Sequence, residues 1–208
     1  MKEKLIALTV FLIIMAMLPF MAAKCSNTDI RTLKTSSTAD SIEEKTDNLS
    51  ESDKILCGLV AARYKNDYSE ETMKAIAVII INNYKINPDS FNIEDNEVCV
   101  LEKDADSSIK EIYPVIINCV NSAKEIKIKF DSKENYIPFS YTSNGRTNKD
   151  NSYEYLISVA SPWDCYNENY DENTECVGVS LSGVDYLCKN GSSAIDALKW
   201  YLPTAEIK

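Results

Sequence analysis

The feature that most constrains this chain is a helix with apolar side chains on most of its faces. From Met73 onward apolar side chains fall at Met73, Ile76, Ala77, Ile80 and Tyr84, and Val78, Ile79 and Ile81 fill the positions between them. That density predicts a helix buried on most sides, so the rest of the domain has to be arranged around it. Its start is marked by Ser69 or Asp67 as N-cap, with Glu70 and Glu71 in the first turn, where negative charge suits the helix dipole. A second, shorter apolar element, ILCGLVAA, precedes it, and the segment Arg63-Tyr64-Lys65-Asn66-Asp67 joins the two.

The chain has 208 residues, and three segments are expected. Residues 1–24 begin with Lys2 and Lys4 and continue without a charge from Leu5 to Ala23. This apolar run of 19 residues is just long enough to span a bilayer. It reads as an uncleaved membrane anchor that leaves the following domain on the outer side, a single-pass arrangement. The alternative is a signal peptide cleaved near Met21-Ala22-Ala23, which gives a secreted protein. Residues 25–52 are mostly Ser, Thr, Asn, Asp, Glu and Lys and read as a solvated linker. Residues 53–208 form one domain.

Charge and composition exclude several functions. The net charge of -10 disfavours binding to nucleic acid phosphates. Histidine is absent, which removes the usual imidazole base, the Ser-His and Cys-His nucleophile pairs and the commonest zinc ligand. Seven cysteines, at 25, 57, 99, 119, 165, 176 and 188, leave at least one unpaired. The spacing of Cys165 to Cys176 or Cys188 permits a disulfide, whereas Cys57 and Cys119 read equally well as small buried residues.

Beyond the long helix the pattern turns to strands. Residues 88–95 are turn-like, 98–101 read as a short strand, and a further helix is expected to begin near residues 104–107. Residues 116–120 and 125–130 read as a hairpin, with Ile126, Ile128 and Phe130 on one face. A third strand over 136–142 runs into the Asn144-Gly145 pair, which suits a tight turn. A closing amphipathic helix over 193–201 is capped by Ser193, with Asp196 three residues on, and is stopped by Pro203. The fold class expected is therefore α+β.

Several of these segments resemble, in order, the stage II sporulation protein D / amidase-enhancer (SpoIID/LytB) domain. Gly58-Leu59-Val60-Ala61-Ala62-Arg63-Tyr64 and Glu71-Thr72-Met73-Lys74-Ala75-Ile76-Ala77-Val78 are similar to the family's G-V-V-A-G-E-M-P and E-A-L-K-A-Q-A-V-A. Phe139-Ser140-Tyr141-Thr142-Ser143-Asn144-Gly145-Arg146-Thr147 resembles P-I-x-A-x-Y-x-x-S-S-G-G-x-T. The segment Tyr155-Leu156-Ile157-Ser158-Val159-Ala160-Ser161-Pro162-Trp163-Asp164 looks like Y-L-x-S-V-x-S-P-W-D and is the most specific local match. Residues 178–191 resemble the family's late glycine-rich segment more weakly, with Glu175 where the family has histidine. The likeness covers about three quarters of the chain and is carried by spaced motifs.

The resemblance implies a mixed fold with a buried helix, antiparallel strands and a C-terminal helix, and a groove that holds a peptidoglycan glycan strand. The family's catalytic glutamate, which cleaves that strand as a lytic transglycosylase, falls on Arg63. Glycosidic cleavage needs a carboxylic acid to protonate the leaving oxygen, and a guanidinium stays charged and cannot do so. The expected role is therefore a catalytically degenerate protein of sporulation or cell-wall remodelling, with no catalytic residue, no cofactor and no metal. In the family, cysteine and histidine after the first helix can hold zinc; Cys99 takes one such position, but no histidine accompanies it. Carried over by position, the substrate-binding residues are Arg63, Ser143, Asn144, Thr147 and Ser180. The partners implied are peptidoglycan glycan strands, a cell-wall amidase or other sporulation membrane proteins, and the membrane through the N-terminal anchor. The alternative is an active transglycosylase acting on stem-free glycan with another carboxylate as acid.

Overall fold

The computed structural model describes residues 49–65, 67–91, 107–149, 153–168 and 170–208, all within the unit Ser41–Lys208. The anchor, most of the linker and the strand expected at 98–101 lie outside the described residues. Among the described residues no helix is long and apolar enough to cross a membrane.

The order is α1 (Glu51–Ala61), α2 (Glu70–Ile86), a 3₁₀ turn (Pro88–Ser90), α3 (Ser107–Ala123), β1 (Ile128–Lys129), β2 (Phe139–Ser140), β3 (Arg146–Thr147) and β4 (Val159–Ala160). A second 3₁₀ turn (Pro162–Tyr166), β5 (Val179–Ser180), α4 (Leu181–Lys189), α5 (Ala194–Tyr201) and β6 (Glu206–Ile207) complete it. The class is α+β, with the helices dominant. The α2 helix is the centre, packed against α1, α3, α4 and α5. Met73 and the unbroken apolar run over residues 75–81 are all buried. Ser69 is the N-cap and accepts the Thr72 N–H at 3.1 Å. The α1 helix starts at Glu51 under a Ser50 cap, two residues before the expected domain start.

Two asparagines in the buried helix organise the extended chain beside it. The Asn83 side chain donates to the Ile137 carbonyl at 2.8 Å and accepts the Ile137 N–H at 2.7 Å, pairing with it as a neighbouring strand would. Asn82 donates to the Asn135 carbonyl at 2.9 Å. A buried backbone segment without a sheet partner thereby finds its hydrogen bonds.

The strands are shorter than the sequence leads one to expect. Residues 116–120 are helical, within α3, and the hairpin expected there is not formed. Ile109, Ile112, Tyr113, Ile116, Cys119, Val120 and Ala123 recur every three or four residues, and this longer period wins over the local β-branched run. Of the strands expected at 125–130 and 136–142, only Ile128–Lys129 and Phe139–Ser140 are strand. Among the described residues each of the six strands pairs with one other, as β1 with β6 antiparallel, β2 with β5 parallel and β3 with β4 antiparallel. The closing helix forms as expected, with the Ser193 hydroxyl accepting the Asp196 N–H. Cys57, Cys119, Cys165, Cys176 and Cys188 are free thiols, so the pairings open to Cys165 are not made.

Candidate functional site

Arg63 lies just past the end of α1, where helix carbonyls lack partners, and its guanidinium donates to the Leu59 carbonyl at 2.9 Å. The same group sits between two rings, 5.3 Å from the Phe139 centroid and 5.8 Å from that of Phe91. These contacts fix a half-buried cation on one wall of a cavity of about 260 Å³ lined by Ala62, Arg63, Phe139, Ser140, Tyr141 and Leu181. A neighbouring cavity of about 240 Å³ is lined by Lys65, Tyr141, Thr142 and Asn167. Tyr141 belongs to both, and the Lys65 ammonium rests 3.7 Å from its ring centroid. Burial pushes the Tyr141 phenol above its usual pKa, while Arg63 acts in the opposite direction.

The loop that carries Arg63 and Lys65 is tied to α4. Lys189 bridges Asp67 and Asp185 at 2.7 Å each, and Asp185 also accepts the Thr72 hydroxyl at 2.9 Å. The bond from Lys189 holds the Asp67 carboxyl below its usual pKa. Among the described residues neither cavity has a carboxylate in its lining.

The other expected binding residues line neither cavity. Ser143 and Ser180 are fully buried. Ser143 donates to Asp164 at 2.5 Å, and Ser180 caps α4, accepting the Gly183 N–H at 3.3 Å. Asn144 is half-exposed and donates through its side chain to the Glu172 carbonyl at 3.2 Å. Thr147 is buried in β3, paired with Val159 of β4. Ser143 and Ser180 are connected through Ser182, whose hydroxyl contacts Ser180 at 3.2 Å and donates to Asp164 at 2.6 Å. Arg63, Asn144 and Thr147 take no part in that connection.

Asp164 is the residue that spacing alone does not pick out. It is buried and accepts the Ser143 N–H, the Ser143 hydroxyl and the Ser161 hydroxyl on one oxygen, and the Ser182 hydroxyl on the other. The chain of donors continues outward: Trp163 Nε1 donates to the Tyr201 hydroxyl at 2.8 Å, and that hydroxyl lies 2.6 Å from Ser161 Oγ. Because Ser161 spends its proton on Asp164, Tyr201 is the donor to Ser161. The Ser-Pro-Trp-Asp run thus joins the 143–145 turn, the start of α4 and the end of α5. Gly183 is required where these meet, since a Cβ there would stand 1.7 Å from the Tyr201 hydroxyl.

Glu71, the other acid of interest by position, accepts the Ala194 N–H at 2.6 Å at the start of α5. With four donors on Asp164, Lys189 on Asp185 and a helix N-terminus on Glu71, each of these carboxylates is occupied in holding segments together. Among the described residues no cluster of three metal-ligating side chains is found. Compared with known proteins, the sequence matches no family model and no curated protein.

Proposed function

We propose that this chain is a degenerate, non-catalytic protein of the SpoIID/LytB type, held outside the membrane by its apolar N-terminal segment. It binds peptidoglycan glycan, or a partner hydrolase such as a cell-wall amidase, in sporulation or wall remodelling. What supports the reading is Arg63, which the resemblance puts at the family's acid, on the wall of a cavity whose lining among the described residues is apolar, aromatic, hydroxylic and cationic with no carboxylate. Aromatic faces and hydroxyls suit a sugar ring, and a fixed guanidinium supplies recognition without proton transfer. Of the other carboxylates, Glu71, Asp164 and Asp185 are bonded internally, which does not favour them as acids, and Glu70 lies exposed in the first turn of α2.

The test is co-sedimentation of the full-length chain, purified in nonionic detergent, with glycan strands bearing or lacking peptide stems. Binding without release of soluble product is expected, with Tyr141→Ala weakening it about tenfold. Absence of binding, or release of product by the native chain, would overturn the reading.

A further inference from the structure

We infer that the cavity beside Arg63, formed by Lys65, Tyr141, Thr142 and Asn167, is a subsite for a carboxylate carried by the same glycan. This rests on the glycan reading of the Arg63 cavity and names what its neighbour accepts. Each cavity alone, at about 260 and 240 Å³, falls short of the roughly 300–1,000 Å³ of an ordinary ligand pocket. Both are lined by Tyr141, so a ligand seated in one lies beside the other.

The second compartment has the character of an oxyanion site. In a chain of net charge -10, its lysine has no carboxylate within ion-pair distance among the described residues, and its ammonium is parked on the Tyr141 ring instead. The Thr142 hydroxyl is buried in the wall without a hydrogen-bond partner. A hydroxyl left this way is costly, and a ligand oxygen brought to it removes the cost. Lys65 and Thr142 present an ammonium and a hydroxyl as donors, and a single ammonium matches the single charge of a carboxylate. A phosphomonoester, with nearly twice the charge, calls for a cluster of guanidinium groups that this compartment does not have.

Such a carboxylate has two sources on peptidoglycan, the lactyl group of the muramic acid or the peptide stem attached to it. Titration calorimetry of the full-length chain in detergent separates them. The ligands are the N-acetylglucosaminyl-N-acetylmuramic acid disaccharide, its lactyl methyl ester, and the disaccharide carrying a peptide stem. The free acid or the stem-bearing form should bind about tenfold more tightly than the ester, and whichever does identifies the source. Lys65→Met should abolish that preference. The comparison of acid, stem-bearing form and ester in the unaltered chain stands even if a variant fails to fold. Three measurable but equal affinities would overturn the subsite and leave the glycan reading in place. Persistence of the preference in folded Lys65→Met would overturn it too. No binding of any of the three would overturn both.

Discussion

The Asp164 carboxylate accepts the Ser143 hydroxyl at 2.5 Å, across 21 residues of chain. Through this bond the turn that follows Tyr141 and Thr142 is fastened to the same anion that holds Ser182 in the first turn of α4. The Arg63 cavity is lined by Tyr141 from before that turn and by Leu181 of α4, so its shape depends on a carboxylate that does not line it.

Replacing Asp164 by Asn keeps its size but turns one accepting oxygen into a donor that faces hydroxyls or an amide. The expected loss is about 3 kcal/mol of stability, read as a lower urea midpoint, with Ser182→Ala costing only about 1 kcal/mol. Equal midpoints for Asp164→Asn and the native chain would show that the network is not a source of stability.

Gly183→Ala should destabilise by more than about 2 kcal/mol, because its new methyl meets the Tyr201 hydroxyl. Adding Tyr201→Phe removes the nearest obstacle. The double variant is therefore expected to be more stable than the sum of the two single losses, with a coupling of about 1–2 kcal/mol in a double-mutant cycle. Strict additivity would contradict the close approach.

Asn83→Ala leaves the Ile137 N–H and carbonyl buried without partners, and about 3 kcal/mol should be lost. Hydrogen exchange at the Ile137 amide should accelerate much more than at the core of α1. Unchanged protection at Ile137 would mean that another group holds it.

Much of this could be anticipated, and the rest could not for physical reasons. The α2 helix and its Ser69 cap were legible because the cap, the acidic first turn and the apolar run are local in sequence. Residues 116–120 mislead because Ile116, Ile117, Cys119 and Val120, interrupted only by Asn118, fit a buried strand as well as a buried helix, and only the period extended to Ile109 and Ala123 decides. Asn83 reads as a polar interruption until its partner, 54 residues away, is seen. The Ser-Pro-Trp-Asp run stood out by resemblance, yet its function as a three-way tie depends on Ser143, Ser182 and Tyr201, which no spacing rule connects. At the site, Arg63 is marked by its position in a motif, whereas Lys65 and Tyr141 are 76 residues apart and meet only in the folded chain, where one ring lines two cavities.

Alkaline pH should weaken the fold. Burial pushes the Cys57 and Cys188 thiols up to about 11 and those of Cys119 and Cys176 up to about 12, from 9.0. Above pH 9 the unfolded chain releases these protons while the native chain keeps them, so the native state binds more protons and stability falls with rising pH. The contribution is fully present below about pH 9 and lost as the pH climbs through 11 to 12. Denaturation midpoints at pH 8, 9.5 and 10.5 should decline steadily, and thiol labelling at pH 8 should modify exposed Cys165 well before these four. A flat profile would contradict the burial of the thiols.

The central claim, a glycan groove whose acid has been replaced by a guanidinium, is tested most directly by Arg63→Glu in the full-length chain. Purified glycan strands are incubated with native and variant protein, and anhydro-muramic ends are detected by mass spectrometry. The account predicts that both bind and that only the variant releases anhydro-muramic product. Product from the native chain, or binding by the variant without any product, would contradict it.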